Sequence, residues 1–522
     1  MYERLTKRKG LIFLATAIAV FLLLTVPRLG ASSLWFDESF TAYLMRYDVN
    51  DIIAYTGKDV HPPLYYLVLK GWSSIFGMSA VALRSLSIVF GVVALILVYF
   101  LIKKLFSDQK VAGVAALAVA AGPLFIRYGV EARMYMMVIA VGLAGALIYL
   151  KAEQSKGYEW WFAYGLVMAV GMWTHYFAVF WWLGFWVYRY FTLKNGALRG
   201  KELLHKFFTP QFIWAHILAT ACYLPWLPVA YAQTGQLSGG YWIPTVTIDS
   251  VGDSVADILL YRPKGTADNW YAVLEIVAIA IIATFWARAV RNTRGTRAGR
   301  GMIFLTALAL APIILLFLVS LYPLKSFYIL RYVLPSVTLI YAVLGILIAS
   351  SPSFANWPLV VVTLICLISG DRHVWALGNY NFNTSDASPY TMTGEVVRLT
   401  DKRYPVLASG DYNYYEAAAY ETAQQKVYYD YSLVKDSPVG SMAMLKDNKL
   451  GRGIKDMKQF GRDNQYVWVV GSDDEPREEG NDTPIEPPKA AKDFNWKVVK
   501  TVGAPEPGTG DHIYRATLYR TR

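Results

Sequence analysis

Two adjacent carboxylates, Asp37 and Glu38, stand in the stretch Leu34-Trp35-Phe36-Asp37-Glu38-Ser39, just beyond the first long apolar block. Soon after comes Val60-His61-Pro62-Pro63-Leu64-Tyr65, where the prolines hold His61 extended. Carboxylates at a membrane face are costly to keep there and are functional candidates for that reason. Such a group can act as general base on an acceptor hydroxyl or amine, hold a metal, or counter a substrate cation. The plainer alternatives are that Asp37 caps a helix starting at Glu38, and that His61 only precedes a helix entered through Pro62 or Pro63. A further set falls in polar turns on the same side as Asp37. Arg127, Glu131, Arg133 and Tyr135 share one turn, His175 and Tyr176 the next, Tyr241 and Trp242 a third, and Lys325 and Arg331 a fourth. Cations there commonly snorkel to headgroups, and Tyr and Trp commonly form an interfacial belt. Brought together, the same side chains would line a cavity for an anionic, lipid-linked sugar. Arginine offers a planar fork to phosphate oxygens, and aromatics pack on sugar rings and prenyl chain.

The elements that must position these residues are membrane helices. The 522 residues are 55% hydrophobic, 15% aromatic and 17% charged, with mean hydropathy +0.32. A soluble chain of this length carries nearer a quarter charged residues, and here the apolar residues come in blocks of spanning length. The net charge of +12 does not indicate nucleic acid, because the basic residues cluster in short loops between apolar blocks. Cys222 and Cys366 lie inside apolar blocks and form neither a disulfide framework nor a metal motif.

Arg4, Lys7, Arg8 and Lys9 place the N-terminus in the cytoplasm, ahead of a retained first span, Leu11 to Val26. The amphipathic segment that follows, to about Leu83, suits helices lying in the interface. The succeeding spans are expected at Arg84–Leu101, Val111–Ile126, Met136–Leu150, Trp160–Trp173, Phe177–Tyr188, Phe212–Ala230, Tyr271–Trp286, Met302–Leu321, Tyr332–Ala349 and Pro358–Ser369. That makes eleven, with basic residues in five of the six inner segments; Ser350 to Trp357 has none. Residues 1–370 thus form a membrane domain. From Asp371 the composition turns polar, and residues 371–522 read as an extracytoplasmic α/β domain. Its strands are expected at Pro405–Ala408, Val427–Tyr429, Tyr466–Val470, Trp496–Val502 and Ile513–Leu518, with a helix at Tyr412–Ala423 and a loop at Gly471–Lys492.

Four stretches together carry a resemblance: Trp35-Phe36-Asp37-Glu38, His61-Pro62-Pro63-Leu64-Tyr65, Arg127-Tyr128-Gly129-Val130-Glu131-Ala132-Arg133-Met134-Tyr135 and Thr174-His175-Tyr176-Phe177, with Arg331-Tyr332-Val333-Leu334-Pro335 adding to it. The chain resembles the bacterial members of the protein O-mannosyltransferase / aminoarabinose transferase superfamily, glycosyltransferases of the GT-C fold (family 39-like), over about its first 350 residues. The resemblance implies a mainly α, polytopic membrane protein with a GT-C helical bundle. It implies inverting transfer of a sugar, such as the hexose mannose, from a polyprenyl-phosphate donor at the outer face of the cell membrane. Asp37 would be the base, Glu38 would orient it or the acceptor, and Arg133, Lys325 and Arg331 would hold the donor phosphate. His61, Arg127, Glu131, Tyr135, His175 and Tyr176 would complete the donor and acceptor site. The acceptor is open among protein, lipid and glycan. No cofactor is required; a divalent metal is compatible, and no nucleotide-binding loop is present. The competing class is a lipid or sugar transporter with an outer sensing domain, which would carry its acids and cations near mid-membrane rather than at helix ends. A membrane-anchored binding protein would leave the paired acids unexplained.

Overall fold

The computed structural model describes residues 2–195, 198–236, 243, 245–247, 249–261, 269–321, 326–350, 356–377, 393–437, 439–472, 484–488, 491, 494–503 and 514–522. Helix α1 (Tyr2–Thr25) is followed by three short helices, α2 (Phe36–Leu44), α3 (Val49–Lys58) and α4 (Leu64–Phe76). Then come α5 (Ala80–Phe106), α6 (Gln109–Ala120), α7 (Pro123–Gly129), α8 (Tyr135–Ala152), α9 (Glu159–Thr174) and α10 (Ala178–Asn195). They are followed by α11 (Gly200–Phe207), α12 (Pro210–Tyr223), α13 (Leu227–Gln236), α14 (Asp249–Leu260), α15 (Asn269–Asn292), α16 (Arg297–Val319), α17 (Leu334–Ser350) and α18 (Trp357–Leu377).

Every expected span falls on a helix or a broken helix. By length and composition, eight helical stretches among the described residues can cross a membrane, or nine if α6 and α7 count as one. The 16-residue α9 and the 18-residue α10 stand outside that count. The α6–α7 pair bends by 63°, at Gly122-Pro123, where proline ends one helix and opens the next. Gly122 also makes room for Tyr341: a Cβ there would lie 2.3 Å from its ring. Tyr341 in turn accepts the Leu124 amide (3.3 Å) and donates to the Ile258 carbonyl (2.6 Å), so the bend is tied to α14 and α17. This corrects one expectation: Arg127 lies on α7 rather than in a turn.

Contacts divide the chain into two compact units. Residues 1–27, 84–232 and 237–376 form the first, a helical bundle. Residues 28–83, 233–236 and 377–522 form the second, which therefore holds α2, α3 and α4 as well as the C-terminal sheet. In the bundle, helices approach closely where side chains are small, since lipid gives no hydrophobic drive between them. Gly345 on α17 is one such instance, with its Cβ position 2.6 Å from the Ala115 Cα of α6.

In the second unit, α19 (Thr393–Leu399) precedes β1 (Val406–Ala408), α20 (Asp411–Ala418), β2 (Val427–Asp430), α21 (Ala443–Asp447), β3 (Gly453–Ile454), α22 (Met457–Asp463) and β4 (Tyr466–Ser472). A hairpin of β5 (Lys497–Gly503) and β6 (Tyr514–Arg520) completes the sheet. The strand order is β3-β2-β1-β4-β6-β5. β1 pairs in parallel with β2 and β4, and β2 with β3, while β6 runs antiparallel to β4 and β5. The parallel strands Val406-Leu407-Ala408 and Val467-Trp468-Val469-Val470 are fully buried, as helix-covered strands should be. The five strands expected from sequence are present. The two-residue β3 and the helices α19, α21 and α22 were not expected, and α20 stops at Ala418, short of Ala423. Most of the Gly471–Lys492 loop lies outside the described residues.

Glu416 on α20 is buried and accepts the Thr393 amide at 3.3 Å. Burial pushes its pKa from the ordinary 4.5 to about 7, with the hydrogen bonds from Thr393 opposing. Between these values the unfolded chain ionises this carboxyl and the folded one does not, so stability is full below pH 4.5 and falls as pH rises to about 7. The loss amounts to about 3 kcal/mol. Glu416→Gln is expected to flatten this pH dependence and to melt higher at alkaline pH. Parallel melting curves for the two proteins from acid to alkaline pH would exclude it.

Candidate active site

The candidate residues form two groups, one in each unit. In the bundle, the bend that aims α7 puts Arg127 and Glu131 side by side, with Arg127 Nη1 donating to Glu131 Oε2 at 2.6 Å. Both side chains are enclosed, at 2% and 0% exposure. Arg127 Nε also donates to the Tyr261 hydroxyl at 3.0 Å, and the Ser87 hydroxyl donates to the Glu131 carbonyl at 2.5 Å. Arg127 and Glu131 are therefore a buried strut between α7, the segment after it, α5 and the end of α14. Tyr261 closes that strut from the left-handed backbone region, at φ 46°.

Around Tyr135, at the start of α8, an aromatic box assembles. The Tyr135 ring lies 5.0 Å from Tyr128 and 6.2 Å from His175. His175 lies 5.1 Å from Tyr332, and Tyr332 stacks on Phe177 at 4.5 Å and 9°. His175 caps the end of α9, and its Nδ1 accepts the Phe177 amide at 3.2 Å, which makes Nε2 the protonated nitrogen in the neutral ring. The Arg331 guanidinium stands 5.9 Å from the Tyr135 ring and 5.7 Å from Tyr332. Arg133 is buried in the same bundle. Tyr176 points elsewhere, accepting Trp226 Nε1 at 2.8 Å. From Phe177 and Tyr332 a narrow crevice, with about 20 Å³ of free volume, runs among α8, α9, α10 and α16, past Gly142, Gly145, Gly171 and Trp181. It is almost wholly apolar. Lys325, Tyr241 and Trp242 lie outside the described residues.

In the second unit, α2 begins at Phe36 with Trp35 as its N-cap. Asp37 and Glu38 thus occupy the first helical turn, where the helix dipole favours negative charge. Asp37 is not the cap considered from sequence. It is partly exposed, whereas Glu38 is fully buried. The helix they ride on is gripped by α20 and the residues just after it. The Leu34 amide donates to the Tyr420 hydroxyl at 2.7 Å. Phe36 packs on Tyr412 at 4.6 Å, and Phe40 on Tyr415 at 5.7 Å. Tyr43 meets Tyr414 with hydroxyls 3.1 Å apart. Arg46 donates to Glu421 at 3.1 Å and to the Ala418 carbonyl, and Glu421 is shared with Arg452 at 2.7 Å. Farther along, Lys58 pairs with Asp447 at 3.3 Å and Lys449 pairs with Asp51. His61 Nδ1 lies 3.3 Å from Asp59 Oδ2, a partner that only its position two residues upstream could have suggested. Among the described residues, no three His, Cys, Asp or Glu side chains gather as a ligand set.

Sequence reasoning passed over Tyr261, Asp59 and the tyrosines of α20. It also passed over Arg84, which is wholly buried near the start of α5. An arginine inside an apolar block was the signal available for it.

Residues 60–228 match the family model described as dolichyl-phosphate-mannose-protein mannosyltransferase. No curated protein sequence matches the chain. Its fold is similar to the crystal structure of ArnT from Cupriavidus metallidurans in the apo state, with TM-score 0.57 and 11% identity over 97% of each chain. It is also similar to the structure of ArnT from the same organism bound to undecaprenyl phosphate, with TM-score 0.53 and 12% identity over 97% of each chain. The mainly helical membrane fold expected from the resemblance is found, as is the small C-terminal sheet domain expected from composition and strand runs.

Proposed function

We propose that this chain, a glycosyltransferase family 39-like protein of the GT-C fold, is a membrane glycosyltransferase that delivers a sugar from a polyprenyl-phosphate donor to an acceptor on the outer face of the membrane. The observation that carries this reading is the Tyr135–His175–Tyr332 box with Arg331 beside it, next to a narrow apolar crevice lined by Phe177 and Tyr332. A cation and aromatic rings beside apolar helix surface match an anionic head on a hydrocarbon chain. The match of residues 60–228 to a mannosyltransferase family supports a hexose such as mannose, and the fold shared with an undecaprenyl-phosphate-binding protein supports the lipid carrier.

In the reaction, the acceptor hydroxyl or amine loses its proton to the Asp37 carboxylate and forms a bond to C1 of the sugar. The bond from C1 to the phosphate oxygen breaks on the opposite face, so the configuration at C1 inverts. The bonding electrons leave with the polyprenyl phosphate. The Arg127–Glu131 pair keeps α7 in place, and buried Glu38 orients the turn that carries Asp37. In this reading the N-terminus is cytoplasmic, residues 1–370 form the transferase domain, and residues 371–522 form an extracytoplasmic domain. The outer domain serves the reaction by fixing α2.

Proteoliposomes given a labelled polyprenyl-phosphate hexose and a lysate-derived acceptor fraction test the reading. Transfer of label to acceptor supports it. Uptake of the intact donor without cleavage would replace it with the transporter class. Tyr420→Phe removes the acceptor of the Leu34 amide and is expected to lower kcat about five- to ten-fold, as loss of about one hydrogen bond implies. The KM for donor should stay unchanged, because Tyr420 acts on the loop carrying the base. A rise in donor KM with kcat intact would show that α2 is not what Tyr420 positions.

A further inference from the structure

A second cleft lies at the opposite ends of the same helices and has no part in the transfer chemistry. It is open, with about 470 Å³ of free volume. Lys103 and Lys104 reach it from the last turn of α5, Lys151 from the last turn of α8, and Trp160 from the first turn of α9. Phe100, Leu147 and Ile148 supply its apolar wall. Tyr135 and Lys151 sit at the two ends of α8, about 24 Å apart at 1.5 Å per residue. The cleft therefore belongs to the other leaflet from the aromatic box.

Its charge is of one sign. The Lys151 ammonium stands 4.1 Å above the Trp160 ring. Lys104 donates to Gln154 Oε1 at 3.1 Å. Arg297, at the start of α16, reaches the Lys104 carbonyl and adds a fourth cation. The acids nearby in sequence are engaged elsewhere, Glu153 with Arg189 and Glu159 with the Ser155 hydroxyl. Among the described residues, no ion pair joins Lys103, Lys104 or Lys151 to a carboxylate. Snorkelling lysines spread outward, each to its own headgroup. These converge on one recess, and Lys151 is held by an indole.

We propose that this cleft binds one anionic phospholipid of the inner leaflet, with the headgroup phosphate among Lys103, Lys104 and Lys151 and an acyl chain along Phe100, Leu147 and Ile148. Basic recesses between helices at this boundary suit such headgroups, and the apolar wall adds hydrocarbon contact that a soluble anion could not use.

The test is a titration of the detergent-purified full chain with phosphatidylglycerol, read as the melting shift and as lipid retained in native mass spectrometry. Lys103→Gln/Lys104→Gln/Lys151→Gln is expected to weaken the apparent affinity about 100-fold, at about five-fold per lysine. A control that removes as many charges from the same side, Arg288→Gln/Arg291→Gln/Arg294→Gln, should leave it unchanged. Equal losses in both variants would reduce the effect to general surface charge and overturn the proposal. So would competition by glycerol phosphate at the same concentration as the lipid, which would mark a site for free phosphate. Preference for polyprenyl phosphate over phosphatidylglycerol would assign the cleft to the carrier lipid instead. If the triple variant does not fold, Lys151→Gln alone, at an exposed position, is expected to cost about five-fold, and an unchanged affinity there would equally refute the site.

Discussion

Asparagine in place of Asp37 is expected to cut sugar transfer by about 10²–10⁴-fold, the range for loss of a positioned general base. Asp37 is suited to that role by its place. It stands in the first turn of α2, partly exposed, and α2 is held by Tyr412, Tyr414, Tyr415 and Tyr420. The substitution keeps shape and hydrogen bonding while removing the ability to accept a proton at neutral pH, so donor binding and melting temperature should be unchanged. The measurement is label transfer from a polyprenyl-phosphate hexose at equal protein in proteoliposomes, beside donor binding. Equal turnover by both proteins would remove Asp37 from the chemistry. Glu38→Gln provides the contrast. Because Glu38 is fully buried, its loss should lower the melting temperature as well as turnover.

The second large effect is structural. Glu131→Gln leaves the Arg127 guanidinium enclosed without its carboxylate, and the expected cost is about 3–5 kcal/mol. The pair is 2.6 Å apart and almost sealed from solvent, so neither partner has water to fall back on. Arg127→Met combined with Glu131→Gln should recover part of the loss, since the charge left stranded by the single change is gone. Thermal melts of the three proteins in one detergent check this. A single variant as stable as wild type, but inactive, would move Glu131 from strut to substrate contact.

The Asp37 and Glu131 predictions differ in how far the sequence alone could carry them. Asp37 was legible because acids beside a membrane span are conspicuous against an apolar background. Glu131 and Arg127 were equally conspicuous, but they read as groups in a polar turn. Whether they meet substrate or each other depends on the bend at Gly122-Pro123, which makes α7 a helix and sets the two side chains one turn apart.

What the sequence by itself determined was whatever depends on local periodicity and composition. Apolar blocks of spanning length fall on α1, α5 to α10, α12 to α13 and α15 to α18, and the short apolar runs from Pro405 to Leu518 fall on five strands. These readings hold because a span or a strand must satisfy its own backbone and bury its own face. What only the tertiary structure decided was partnership across long stretches of chain. Residues 28–83 pack with residues 377–522, through contacts such as Leu34 to Tyr420, 386 positions apart. Arg127 takes Tyr261 as its partner, 134 positions away. Tyrosines that look like an ordinary polar helix, Tyr412 to Tyr415, turn out to grip the helix carrying the proposed base. No local pattern encodes such pairs. They arise because aromatic and charged groups taken from water must find partners wherever the fold brings them.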